Sequence, residues 1–341
     1  LSKPSSNNKN IGKWEFHEIK LEDIGMYSDF IKATQYPANL WSSNFAYLWT
    51  SSQSSLRKVL WKVVDGMLVT FGHSFKNSLY LFCLPFGEGN AEKTTNVVFK
   101  CLKYCYNWNN QESNRTMIRM INHSQLEFLR NRPENRSENS SENPSENRSE
   151  FDNLFRSVTF QGIERHLDVK RLVSLTGKDF STIRNKINKF HRENPGAIVR
   201  RYQKSDYDEL IKLGKHWSSV AGRKYASIFD KAYYREMIKY CDELDQLILV
   251  VQKGSRIIGM VSGGELPTGQ TWGSLLKYEA GIPGLSELLS VEFAREIYKI
   301  NPKVELLNVG SDLGPGGLRD YKLKFRPVLN LKRYQIYLKQ T

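Results

Sequence analysis

Two periodicities take turns along the first 130 residues. Trp14 to Ile19 alternates like a short strand, and Leu21, Ile24, Tyr27, Phe30 and Ile31 then recur on one helical face. Lys58 to Val64 and Met67 to Phe71 are apolar runs joined by Asp65-Gly66, a pair suited to a two-residue hairpin turn because both positions tolerate positive φ. Leu79 to Leu84 predicts a further strand and leads into Phe86-Gly87-Glu88-Gly89. A helix follows with Val97, Cys101, Cys105 and Trp108 aligned, then a strand at Met117 to Ile121 and a helix from His123 to Arg130.

The same order returns later. Ala197 to Gln203 is strand-like, and Tyr207 to Trp217 and Lys231 to Cys241 are helical. Leu247 to Lys253 and Arg256 to Glu265 form a hairpin around Gly254-Ser255. Thr271 to Tyr278 predicts a strand, Gly281-Ile282-Pro283-Gly284 a loop, Leu285 to Ile300 a helix, Val304 to Asn308 a strand, Gly317 to Phe325 a short helix and Asn330 to Leu338 a final strand. The hairpins lie about 190 residues apart, so the chain carries a structural repeat with little residue identity. Between the copies, Glu134 to Ser149 runs as ENRS, ENSS, ENPS and ENRS. With no hydrophobic side chain to offset ordering entropy, this tract is expected to be disordered, and its N-x-S sequons follow from the repeat unit. The expected division is therefore a first domain over 1–130, an insert over 131–150, and a second domain with a connecting segment over 151–341.

Helices, antiparallel strands, a glycine loop after the central strand, then helix and strand is the element order of GNAT-type acyltransferases. The predicted fold class is α+β: two tandem GNAT-like domains, each a mixed, mostly antiparallel sheet flanked by helices. In that fold the glycine loop and the following helix N-terminus receive a phosphate-bearing donor, which makes Gly281 and Gly284 candidate cofactor-binding positions.

Charge narrows the partners. Lys and Arg outnumber Asp and Glu by 50 to 36, a net charge of +14, which suits nucleic acid, anionic lipid or an acidic small molecule; the alternative is a solubility effect. Cys83, Cys101, Cys105 and Cys241 include no C-x-x-C and have no His or Cys at metal-ligand spacing, so no metal is expected and they are assigned as reduced core thiols of a cytoplasmic protein. No stretch of about 18 apolar residues is present. Leu1 to Asn10 is polar with no apolar signal-peptide core, and a start at Leu1 in place of Met is what a trimmed chain would show.

The densest site-like segment runs from Asn308 to Pro327. Asp312 follows a strand end, and Arg319 and Lys322 lie three apart on one helical face. A carboxylate beside two cations suits binding an anion or stabilising an oxyanion during acyl transfer; the alternative makes Asp312 a turn residue and the cations a solvated face. Glu279, at the end of a central strand, is a candidate acid or base. A second cationic segment begins at Thr176-Gly177-Lys178. Phe180, Ile183, Ile187 and Phe190 form its apolar stripe, with Lys189 and Arg192 opposite and Arg184 and Lys186 on the flanks. This face is a candidate for phosphates or is simply solvated. No nucleophile elbow, dinucleotide fingerprint or P-loop occurs.

Thr176-Gly177-Lys178, then Arg184 to Phe190, then Asn308 to Pro327 with its D-L-G…G-L-R-x-x-K-L core, together with Asn44 to Trp49 and Phe86 to Gly89, resemble the family of the phosphatidylglycerol lysyltransferase C-terminal domain. The resemblance implies tandem GNAT-like halves related in fold to the aminoacyl-tRNA-dependent Fem transferases, and places Asp312, Arg319 and Lys322 in the site. It implies an acyltransferase that takes an aminoacyl-tRNA as co-substrate and delivers to an amine or hydroxyl acceptor, with Arg184, Lys186, Lys189 and Arg192 on tRNA phosphates. Peripheral contact with anionic lipid is a further expectation. Acyl-CoA is the less favoured donor: Pro283 has no N–H for a pyrophosphate, and Glu88 would repel one in the first half. A non-catalytic binder with degenerate halves is the remaining alternative. Asn122 to Glu127 offers no cation comparable to Arg319 or Lys322, which assigns the chemistry to the second half.

Overall fold

The computed structural model describes residues 14–37, 44–130, 150–220, 231–313 and 316–339; the E-N-x-S tract and Gly314-Pro315 lie outside them. The first half runs β1 (His17–Glu18), α1 (Ile24–Lys32), α2 (Phe45–Ser52), β2 (Arg57–Val64), β3 (Met67–Ser74), β4 (Leu79–Leu81), α3 (Ala91–Trp108), β5 (Met117–Asn122) and α4 (His123–Leu129). After α5 (Glu150–Leu154) comes the long strand β6 (Phe155–Asp168), then α6 (Val169–Ser174) and α7 (Ser181–Glu193). The second half repeats the order as β7 (Ile198–Arg201), α8 (Tyr207–Val220), α9 (Lys231–Lys239), β8 (Gln246–Lys253), β9 (Arg256–Glu265), β10 (Thr271–Tyr278), α10 (Leu285–Ile300), β11 (Leu306–Ser311), α11 (Gly316–Leu323) and β12 (Leu329–Leu338).

Both hairpins form where the turn residues predict. Asp65 takes φ +50° and Gly66 +79°, and β2 and β3 pair without a register break. Helix starts are fixed by side-chain caps: Asn44 accepts from Tyr47 N at 2.8 Å, and Asn122 and Gln125 close a reciprocal capping box. The stripe of α7 is buried as its spacing requires, with Phe180, Ile183, Ile187 and Phe190 packed in one core with α6 and α10. Each such large apolar side chain contributes about 1.5–3 kcal/mol of burial. All four cysteines are free and buried.

The two halves share one 12-stranded sheet, in the order β1-β2-β3-β4-β5-β12-β6-β11-β10-β9-β8-β7. The last strand of each half is exchanged. β6, which closes the first half's element order, pairs with β11 of the second, while β12 lies against β5 of the first. Neither exchange was foreseen, and β6 itself was not recognised as a strand. All pairings are antiparallel except β4–β5 and β10–β11. β10 and β11 pair only at Thr271↔Leu307 and Trp272↔Asn308, then diverge. That divergence opens the sheet beside α10.

Candidate functional site

The opening between β10 and β11 continues into a cavity of about 910 Å³. Its walls come from both halves: Tyr47 and Arg119 from the first, Phe160 and Glu164 from β6, and Arg333 from β12 join β10, β11, α10 and α11. Gly281 and Gly284 line it at the start of α10, with φ of +83° and +82°. Gly284 is required there, since a Cβ would stand 2.1 Å from the Lys186 carbonyl oxygen where α7 crosses.

Of the candidates Asp312, Arg319 and Lys322, it is Lys322 that lines the cavity. Only 8% exposed, its Nζ donates to the carbonyls of Val309 at 2.6 Å and Ser311 at 2.7 Å, which leaves one of its three donors. Burial pushes the amine down to about 7, against the opposing pull of Asp312 and Glu164. Glu164, 1% exposed, accepts from Asn308 Nδ2 at 3.2 Å and also lines the cavity.

Asp312 does not line the cavity, although it lies near enough to Lys322 to act on its charge. Strand alternation sends Glu164 to the cavity and Arg165 to the other face of β6, where Asp312 meets it. Asp312 Oδ2 accepts from Arg165 Nη2 at 2.7 Å and Nε at 3.2 Å, and Oδ1 accepts from Ile163 N at 3.0 Å. The chain can pass there because β6 shifts register at Gly162, whose φ is +83° and whose added Cβ would lie 2.1 Å from Ser311 Oγ. At 3% exposure, Asp312 is a buried clasp between β6 and the loop after β11. The side chain of Arg319 is 54% exposed and pairs with its neighbour Asp320, and Glu279 pairs with Arg256. Neither lines the cavity. The structure therefore keeps Asp312 near Lys322 and sets Arg319 and Glu279 apart from them.

The basic helix divides in the same way. Arg184 donates to the carbonyls of Leu175 and Gly177 and so closes the C-terminus of α6. Lys186 lines the cavity and donates to Glu287 Oε1 at 2.7 Å. Lys189 is exposed beside Glu193, and Arg192 is exposed one turn further. Glu287, in the first turn of α10, would be raised by burial. Hydrogen bonds from Lys186 and Ser286 outweigh that, and its carboxyl is held below the usual range. Lys324 approaches the same carboxylate at 3.7 Å, and burial together with Lys186 lowers its pKa.

Sequence reasoning missed Glu164, Glu287, Lys277 and Arg333. A signal exists for Lys277, a lone charge in the strand run Thr271 to Tyr278; Glu164 and Arg333 lie among other charged residues of their strands and carry none. Lys277 is 5% exposed, and its Nζ stands 3.3 Å from the centroid of the Trp217 ring.

Two GNAT-like halves sharing one sheet, with a charged cavity at the divergence of β10 and β11, define a protein of the acyltransferase type. Residues 144–337, more than half of the chain, match the family described as phosphatidylglycerol lysyltransferase, C-terminal. The chain belongs to that family. Its structure is similar to a conserved protein of unknown function from Bacteroides thetaiotaomicron, at 19% identity and a TM-score of 0.74, over 95% of this chain and 99% of the other. It is also similar to L-PGS from Bacillus licheniformis, at 16% identity and a TM-score of 0.61, over 98% and 95%. FemX aligns at 9% identity and a TM-score of 0.54, over 94% and 97%. At these identities the likeness is one of fold. No curated protein sequence matches the chain. Among the described residues, no helix is long and apolar enough to cross a membrane.

Proposed function

We propose that the chain transfers an amino acid from an aminoacyl-tRNA to an amine or hydroxyl of an acceptor, within the cavity between its halves. The observation that carries this reading is the buried Lys322 beside Glu164 on the cavity wall. The acceptor's nucleophile attacks the ester carbonyl, forming the new C–N or C–O bond. Collapse of the tetrahedral intermediate breaks the bond to the ribose oxygen, which leaves with the acceptor's proton. Lys322 holds its ammonium against the developing oxyanion in a site largely shielded from water, where such a charge acts most strongly. The carboxylate of Glu164 suits the α-ammonium of an aminoacyl group.

The donor assignment rests on the surroundings of the glycine loop. Pro283 has no N–H, and the first turn of α10 already holds the buried carboxylate of Glu287. A CoA pyrophosphate would find no N–H at Pro283, whereas Lys189 and Arg192 extend a cationic face from the cavity wall at Lys186 toward solvent, as tRNA phosphates require. Calorimetric titration with charged tRNA and with acetyl-CoA tests the reading, followed by transfer from the charged tRNA. Stoichiometric acetyl-CoA binding without tRNA binding overturns the donor. Tight tRNA binding without transfer to any amine or hydroxyl acceptor favours a non-catalytic binder.

A further inference from the structure

Away from the cavity, one face of the first half carries a row of aromatic side chains. β2 and β3 pair so that Lys58 stands opposite His73, Leu60 opposite Phe71 and Lys62 opposite Val69, and residues paired in this way share a face of the sheet. Trp14 and Phe16 cover Phe71 there, with ring centroids 6.3 and 5.1 Å from it, and Trp14 stacks on Tyr104 of α3 at 4.3 Å. Trp108, one turn further along α3, packs T-shaped against His73 at 5.8 Å. The row ends at the turn after β3. Phe75 stands there 68% exposed, the most exposed large apolar side chain among the described residues. Tyr80, opposite Gly72, points to the other face, where it lies near the cavity residue Tyr47. None of the residues in the row lines the cavity.

The exposure of Phe75 is built into the turn. Its N–H donates to the Leu56 carbonyl at 3.0 Å, and the N–H of Asn77 donates to the Ser74 carbonyl at 2.9 Å. His73 Nε2 and Asn77 Oδ1 lie 2.8 Å apart, and Trp108 Nε1 donates to the Asn77 carbonyl at 3.2 Å. The backbone is held on both sides of Phe75, and the ring is left in water, where covering it gains free energy. Cations flank the row. Lys76 lies 5.8 Å from the centroid of Phe75, and Lys62 lies 6.0 Å from that of Trp14. Lys58 is taken by Glu18 at 2.7 Å, whereas Lys62 and Lys76 face rings, which leaves their charges for an anionic partner. The sequence that leads into Trp14 adds Lys3, Lys9 and Lys13 and no acidic side chain.

We propose that this face docks on an anionic lipid bilayer, with Phe75 entering the boundary between headgroups and acyl chains and Lys62 and Lys76 meeting lipid phosphates. An apolar tip beside lysines, backed by tryptophan and tyrosine, matches the chemistry of that boundary. Nucleic acid fits the row less well. A single strand needs open ring faces on which to stack, but Trp14 and Tyr104 are stacked on each other, and Trp108 is packed against His73 and Tyr104. A second copy docked about a two-fold axis would set the same lysines against themselves. The surface is separate from the cavity and owes nothing to the transfer reading.

The test uses the full chain, sedimented with vesicles of phosphatidylcholine alone and of phosphatidylcholine with phosphatidylglycerol. Wild type should bind the anionic vesicles in preference to the neutral ones, and added salt should weaken that binding. Phe75→Ser should weaken it about 10-fold or more, as loss of a buried aromatic ring implies, and Lys76→Gln about 5-fold. Phe75→Trp should keep it, since tryptophan suits the interface. Both positions are exposed, so these variants keep the fold. Binding of tRNA and the oligomeric state are measured on the same proteins and should not change. Equal binding of wild type to both kinds of vesicle overturns the proposal, as does unchanged vesicle affinity in Phe75→Ser and Lys76→Gln. Loss of tRNA affinity or of a dimer in Phe75→Ser, with vesicle binding intact, overturns it too, by assigning the face to nucleic acid or to a second copy.

Discussion

Replacing Asp312 by Ala should unfold the protein more than it harms any chemical step. The carboxylate, 3% exposed, accepts from Arg165 at 2.7 and 3.2 Å and from the Ile163 amide at 3.0 Å. Its removal strands a guanidinium that is 7% exposed and keeps only the Asn330 side chain, at 2.7 Å, and it orphans the Ile163 N–H. Breaking a buried ion pair from one side costs about 3–5 kcal/mol. That is a fall of roughly two to three and a half powers of ten in the folding equilibrium. Urea denaturation followed by tryptophan fluorescence reads it as a lower midpoint. Because the loss comes from the stranded charge, replacing both partners with apolar residues (Arg165→Met with Asp312→Leu) should recover most of it. A variant with an unchanged midpoint and abolished transfer would refute the clasp and return Asp312 to the chemistry.

Lys322, held at about 7 by burial, is charged below that pH and neutral above it, so transfer that depends on its ammonium should fall as pH rises through about 7, and a rising limb there would assign it as a base instead. The unfolded chain keeps this proton up to an ordinary value of 10.5, so stability should rise with pH between about 7 and 10.5, and Lys322→Met should flatten that slope in denaturation series. Gly284→Ala should destabilise the α7–α10 crossing by at least about 1 kcal/mol, since the methyl meets the Lys186 carbonyl at 2.1 Å and φ is +82°; an unchanged thermal midpoint contradicts it. Replacing Glu134 to Ser149 with a short Gly/Ser linker should leave the thermal midpoint nearly unchanged, and a large loss would mean that the tract packs.

What was legible in the sequence was local. The stripe of α7 and the two hairpin turns declare themselves within a few residues, because a 3.6-residue period or an Asp-Gly pair needs no distant partner. β6 did not. Its centre, Gly162-Ile163-Glu164-Arg165-His166, looks too polar for a strand buried on both edges. The acceptor of Arg165 and the donor to Glu164 arrive from Asp312 and Asn308, more than 140 positions away. The same non-locality split the candidate site. The motif around Asp312, Arg319 and Lys322 was visible as a motif, but the motif does not say that Asp312 is taken by Arg165 of β6 or that Arg319 turns to solvent. Arg184 looked like a phosphate ligand because nothing in its own helix reveals the Leu175 and Gly177 carbonyls it reaches.

The strand exchange explains why the cavity belongs to neither half alone. Were β12 to close the second half by itself, Arg333 would lie beside β11 and away from Arg119. Inserted between β5 and β6, β12 instead sets Arg333 on the same wall as Arg119, with Glu164 near enough across the β6 pairing to act on its charge. β6 in turn brings Glu164 and the Asp312 clasp to β11, where Lys322 is held by the Val309 and Ser311 carbonyls. The buried charges Glu164 and Arg333 on the cavity wall are therefore set by two strands, each completing the other half's sheet.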